Sequence, residues 1–481
     1  MEDHGTPPLL TLPSELIHHV LSYLPLSDLI SIGTVNRALH DHSLQDTLWR
    51  PLVQANVHGV NLTHPHNSTW REVFKTHHPY WFIPKNKIWF ADNTHTGKLL
   101  IARYNPSTNA IEGFALGAER RQPTFTTWDW NPEAIIHTFS PRIQLDLNAP
   151  IIRLDANAYA RAVGESPNRL QKELPMDLYN EPAHATAGLY SRLMLTRPWP
   201  QHIIGKNTPV WPPLRLPSTV RTRNDSASQF RGLDHRPSKI QELSNKTFRI
   251  RKWMEFSSRA SGISMRVGED ITTWATLPEE CYTPTAQKPW QGIWCGDYAG
   301  HGCEFLAVIQ PDNPEPLPER AEWVMRARER TGSVSSSESW STAPMEATSD
   351  DESSSGMSMS SISQDAELED SVESENGSTY RGRIEAIKLT GDPNIPRGEY
   401  TFIAPDIGPN GLVRVATEDM FKGARIVKSV GHIAARGFRE DDFMASQLIL
   451  ISHDRLAQYW ETFGHVSFYQ RVNLDEFTKV S

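Results

Sequence analysis

Cysteine is scarce in this sequence. Only Cys281, Cys295 and Cys303 occur among 481 residues, an odd number that argues against a disulfide framework. No stretch approaches the roughly 18 consecutive apolar residues that a helical membrane span requires, so no membrane partner is expected. Nor does the N-terminus pair a basic segment with an apolar core, and a secretory signal is therefore not expected. Basic residues are missing from one long stretch. Thr331 to Thr379 carries eleven Asp or Glu and no Lys or Arg, and it accounts for more than the whole net charge of −9. The remaining chain is close to neutral, without the bulk positive charge that marks nucleic-acid binding. These absences predict a protein of the cytosol or nucleus.

What is present divides the chain by period. Thr11 to Arg50 has helical spacing: Leu16, Ile17, Val20, Leu21 and Leu24 form one apolar face, with Ser14 as an N-cap and Pro25 as a stop. Ser27 can open a second short helix and Thr34 a third, with Trp49 and Leu52 closing the bundle. Three such helices bury little area alone, which predicts a module that docks on a partner. Thr69 to Phe82 reads as a further, linking helix.

From Lys87 the pattern becomes extended. KIWFAD, KLLIARYN and NAIEGFAL read as strands of a meander, whereas Leu154 to Gln241, rich in Pro, Asn and Arg, reads as an irregular insertion. Strand patterns return at Gly292–Tyr298 and Cys303–Gln310, and again after the acidic segment, ending in the two-faced run VSFYQRV. The acidic segment holds seventeen serines in forty-nine residues and cannot bury a core. It therefore reads as a disordered loop interrupting one sheet or barrel.

Several residue groups invite a chemical reading. Gly296 to Gly302 lacks the spacing of a phosphate loop and reads as a β-turn, with Tyr298 and His301 placed to hydrogen-bond a peptide. Cys295, His301 and Cys303 lack the second ligand pair that structural zinc usually needs, so buried thiols are expected and no metal or other cofactor. Arg425, Lys428, Arg436 and Arg439 can pair with an anionic group or stand as scattered surface charges. No catalytic signature is present, and a non-enzyme is expected.

The first segment resembles the F-box: Leu12-Pro13, Glu15-Leu16, Leu24-Pro25, Asp28-Leu29, Val35-Asn36-Arg37 and Leu48-Trp49 stand in that family's order and spacing. The resemblance implies a Skp-type adaptor and a cullin scaffold as partners, with Leu12, Pro13, Leu16, Ile17, Leu24, Leu26 and Leu29 as adaptor contacts. The rest resembles the F-box-only proteins with a cyclin-D-binding-type substrate domain. Four blocks carry this: Trp294–Glu304, Leu389–Phe402, His432–Phe438 and Leu448–Val472. That resemblance implies a closed antiparallel barrel packed on the F-box helices, whose cavity captures a substrate's C-terminal peptide.

The expected fold is therefore α+β: a three-helix F-box, then an antiparallel β-barrel-like domain with long disordered insertions. Expected boundaries are 1–10 disordered, 11–56 F-box, 57–84 linking helix, 85–310 first part of the β domain with 154–241 irregular, 311–379 acidic loop, and 380–475 second part. Trp294, Tyr298, His301, Arg436 and Phe438 are the expected substrate contacts. The expected role is recruitment of protein substrates to a ubiquitin ligase for degradation; the rival is a β-barrel that binds a small ligand and uses its F-box as a scaffold.

Overall fold

A computed structural model describes residues 8–65, 68–91, 97–119, 122, 124–164, 166–176, 187–199, 216–218, 235–258, 263–297, 302–331 and 379–480. Four short helices open it: α1 (Ser14–Leu21), α2 (Leu26–Ile32), α3 (Arg37–Ser43) and α4 (Asp46–Gln54). The expected cap Ser14 lies inside α1 behind Pro13, and α2 likewise starts directly after Pro25 rather than at Ser27. The third helix begins later than Thr34, because Asn36 accepts a hydrogen bond from the Leu39 amide at 2.8 Å and so fixes its start. A fourth helix, not expected from the sequence, accommodates Pro51 and buries Leu48, Trp49 and Val53. The linking helix α5 (Trp70–His77) is started by a reciprocal pair of bonds between Thr69 and Glu72. A short α6 (Phe82–Lys85) follows.

The remainder is built on two sheets. The first contains β1 (Ile88–Ala91), β2 (Leu99–Asn105), β3 (Ala110–Glu119), β6 (Arg142–Leu154), β7 (Leu174–Met176), β8 (Ala187–Leu195), β9 (Thr247–Ser258) and β10 (Ile263–Ala275), while β4 (Phe125–Trp128) and β5 (Asn131–His137) leave it to join the second. Its order is β6-β3-β2-β1-β10-β9-β8-β7. The stretch expected to be an irregular insertion thus supplies two strands; Leu174, Leu193 and Leu195 anchor them by burial despite the surrounding Pro and Arg.

The second sheet contains β11 (Gly292–Asp297), β12 (Cys303–Ile309), β13 (Ile384–Lys388), β14 (Tyr400–Ala404), β15 (Leu412–Val415), β16 (Arg425–Ala435), β17 (Arg439–Ser452), β18 (Arg455–Trp460) and β19 (His465–Arg471). Its antiparallel path β11-β12-β13-β14-β16-β17-β18-β19 closes on itself, because β11 pairs both β12 and β19. The result is an eight-stranded barrel. β12 and β13 are hydrogen-bonded neighbours although the acidic segment separates them in sequence, as the strand patterns on either side of it predict. The acidic loop expected over 311–379 is shorter than that, because Glu319–Thr331 forms a helix whose Ala321 packs on Ile403 and Val430. Residues 332–378 lie outside the described residues.

Side-chain alternation explains how these layers stack. Trp89, Ala91, Leu100, Ala102 and Tyr104 face the helices, where they share one core with Ile17, Leu21, Leu29, Trp49 and Trp81. Ile88, Phe90, Leu99 and Ile101 face the other way and pack against Ile293, Cys295, Phe305 and Phe468 on the barrel wall. The first sheet therefore lies between helices and barrel. The barrel is not packed directly on the F-box helices, as the resemblance implies, since the helical core draws its sheet residues from the first sheet.

Candidate functional site

Two surfaces bear on function, and the first is the outer face of the helical module. Ile17 and Leu21, one turn apart on α1, are buried, while Leu12, Leu16 and Val20 form a second row at the same spacing and are 39–49% exposed. Tyr23, Ile30 and Val35 of the same module are also exposed, by 55–75%. One short helix thus presents apolar side chains on two sides, and this chain's own core takes only one of them. Of the residues expected to meet an adaptor, Leu12, Pro13 and Leu16 are exposed, Leu24 and Leu26 are half-buried, and Ile17 and Leu29 belong to the chain's own core. Sequence reasoning missed Val20, Tyr23, Ile30 and Val35 as surface groups. Two apolar rows merge into one broad stripe on a helical wheel, so Val20 reads there as core.

The second surface is the barrel rim, where three of the four matched blocks meet. Thr390 Oγ1 accepts the Phe305 amide at 2.9 Å, and Pro393 O accepts the Gly437 amide at 2.8 Å. The first ties Phe305, next to the block Trp294–Glu304, to the block Leu389–Phe402, and the second ties the latter to His432–Phe438. Beneath the rim Lys388 is fully buried, with Nζ 2.6 Å from Glu304 Oε2 and 2.5 Å from Asp392 Oδ2. Asp392 also accepts the Asn394 and Ile395 amides at 2.6 Å, which orders the loop. Burial pushes the Glu304 carboxyl up to about 8, against the downward pull of Lys388 and with an upward push from Asp392. Asp392, also opposed by burial, is held below its ordinary value by Lys388. One lysine thus neutralises one of two carboxylates, and near neutral pH Glu304 holds a proton.

Glu304 borders a cavity of about 510 Å³ between the first sheet and the rim. Lys98, Lys252, Asp146, Cys303 and Thr390 also line it. Burial, then the neighbouring Lys98, holds the Lys252 ammonium below its ordinary value. Two cationic groups, Lys98 and Lys252, against one carboxylate, Asp146, leave the cavity suited to an anionic terminus bearing acceptor oxygens.

The expected substrate contacts fare differently from one another. Trp294 is completely buried inside the barrel, its Nε1 donating to Trp290 O at 3.0 Å, so it is a packing residue. Phe438 is buried with a left-handed φ of 61° in the β16–β17 turn, beside an exposed Arg436. Tyr298 and His301 lie outside the described residues. The basic residues do not converge, because Arg425 and Arg436 sit at opposite ends of β16, about 35 Å apart at strand rise. Arg425 instead lies over the Tyr380 ring. The Cys295 thiol is hydrogen-bonded with Cys303, which, with burial, pushes its ionisation far up.

The barrel lumen itself is filled. Trp290, Trp294, Phe402, Leu448 and Tyr469 form one cluster there. Gly296 and Gly431 make room for it: a Cβ at Gly296 would stand 2.5 Å from the Tyr469 ring, and one at Gly431 2.2 Å from Trp460. Gly296 reads from sequence as a turn glycine, but its task is close packing. Tyr469 OH donates to Gln458 Oε1 at 3.1 Å and Gln458 Nε2 to Ser446 Oγ at 3.1 Å, so the lumen's polar groups satisfy each other. The described residues thus fill the middle of the lumen with side chains of this chain's own.

In comparison with known families, residues 9–55 match the model of an F-box-like domain and residues 274–476 that of a Cyclin D1 binding domain. No curated protein matches the sequence. The second match begins in β10 and covers the whole barrel, whereas most of the first sheet falls between the two matches.

Proposed function

From a chain that carries an F-box-like domain and a Cyclin D1 binding domain, we propose a substrate receptor of a Skp–cullin–F-box ubiquitin ligase. The observation that carries this reading is a second apolar row, Leu16 and Val20 on α1 with Leu12 just before it, left exposed beside the internal core. Each such side chain gains roughly 1.5–3 kcal/mol when fully buried, so the row has a physical use once a partner covers it. Ubiquitin transfer then takes place on the conjugating enzyme, and this chain contributes proximity and orientation. A small-ligand barrel needs an open lumen, and the packed cluster around Trp294 and Tyr469 disfavours that rival. Purification of the chain from its native cell should bring adaptor and cullin with it, and their absence would contradict the assignment.

For the substrate, the reading is capture of a C-terminal segment in the cavity between sheet and rim. Support comes from Lys98 and Lys252, which line this cavity and can donate to a terminal carboxylate. A hydrogen bond to a charged group is worth about 1.5–3 kcal/mol, so Lys252→Gln should weaken a cognate C-terminal peptide about ten- to a hundredfold. Adaptor binding should be unchanged. Peptide arrays that capture internal sequences only would overturn the terminal-capture reading and leave the receptor assignment standing.

A further inference from the structure

A second cavity, of about 700 Å³, opens on the outer wall of the barrel beside the proline-rich stretch 311–318. Four carboxylates line it, from Glu315, Glu385, Glu399 and Asp441, and no Lys or Arg is among the described residues that do so. Three of its residues come from neighbouring parts of the barrel wall: Glu399 just before β14, His432 in β16 and Asp441 in β17. Their ligand-type atoms, one imidazole nitrogen and two carboxylate oxygens, all lie within 4.8 Å of one another.

His432 distinguishes this group from an ordinary acidic patch. It is 4% exposed, its ring is stacked on Phe443 at 4.8 Å, and Nδ1 lies 3.0 Å from Tyr400 O. A carbonyl can only accept, so Nδ1 carries the proton and the ring is fixed in orientation. In the neutral ring Nε2 then carries the free lone pair, and among the described residues it has no hydrogen-bond partner. The nearest carboxylate oxygen, Asp441 Oδ2, is 3.5 Å away. That is too long for the roughly 2.7–2.9 Å of a charge-assisted N–H···O bond. It does match the spacing of two ligands on one tetrahedral ion, about 3.4 Å for bonds of 2.0–2.1 Å. A histidine whose second nitrogen donates to a backbone carbonyl is also the usual arrangement of a metal ligand.

We propose that Glu399, His432 and Asp441 bind a divalent transition-metal ion, Zn²⁺ or Mn²⁺, with its open coordination positions toward the cavity. One imidazole and two carboxylates suit these borderline and hard ions better than thiophilic ones. The ion staples three neighbouring strands at the end of the barrel next to the β16–β17 turn. The site stands on these residues alone and is independent of the receptor role.

The test is calorimetric titration of the full chain, stripped with chelator, with Zn²⁺ and with Mn²⁺, beside a thermal melt. The expected result is saturable binding at one ion per chain and a raised melting temperature. Asp441→Asn and Glu399→Gln, both at partly exposed positions, should each weaken binding more than about tenfold while the metal-free melt stays as in the parent. Absence of stoichiometric binding would overturn the proposal, as would equal binding by Asp441→Asn. So would a Lys- or Arg-rich peptide that fills the cavity of the metal-free chain and prefers that form to the ion-loaded one.

Discussion

At the scale of single residues, Lys388 is shared between Glu304 and Asp392 in a space that shuts out water. A buried cation with two carboxylates leaves one of them to take a proton, and Glu304 does so because burial raises it from 4.5 to about 8. Between those values the folded chain holds a proton that the unfolded chain has lost, so this group's contribution to stability falls as pH rises from 4.5 to 8. His77, held down to about 4 by burial, acts in the opposite sense, its contribution rising with pH between 4 and 6.5. The comparison is therefore cleanest between pH 6.5 and 8. There Glu304→Gln, which keeps the shape and cannot ionise, should flatten the pH dependence of stability by up to about 1.4 kcal/mol per pH unit. Urea unfolding of parent and variant across this range checks it; parallel curves would show that Glu304 is already ionised in the fold.

At the scale of elements, how much the sequence revealed depended on whether the signal was local. The helical period of Leu16 to Leu24 and the alternation of β1 to β3 are local, and those elements lie where their patterns put them. β7 and β8 are short or flanked by Pro and Arg, and only pairing with β9 identifies them as strands. The helix Glu319–Thr331 was hidden by the acidic run beside it; Arg328 fixes it by donating to Ser446 O at 2.7 Å and pairing with Glu461. Of the candidate site, the converging blocks were legible, but not the cavity: Lys98, just before β2, and Lys252, in β9, are far away in sequence with no motif of their own. Barrel closure was equally non-local, and it sets a steric limit that can be tested. Gly431→Ala places a methyl group where the Trp460 ring lies, and overpacking of this kind costs about 1–3 kcal/mol. Thermal denaturation should show a melting temperature lower by several degrees. An unchanged value would mean that the lumen is looser than this packing implies.

At the scale of the whole molecule, three layers divide the work. Helices present an apolar face at one end, the first sheet carries them on one side and the barrel on the other, and the rim cavity lies between sheet and barrel. The proposed receptor needs this separation, because adaptor and substrate must be held at once on different surfaces. Its central claim is that the exposed row of α1 is the adaptor contact. The most direct measurement is the affinity of purified chain for a Skp-type adaptor, parent against Leu16→Asp with Val20→Asp. Both side chains are nearly half exposed in the chain alone, so the double variant should melt at the parent temperature. On the adaptor the same change loses two buried apolar groups of roughly 1.5–3 kcal/mol each, which predicts a loss of about a hundredfold or more. Adaptor affinity equal to the parent's in the folded double variant would contradict the account.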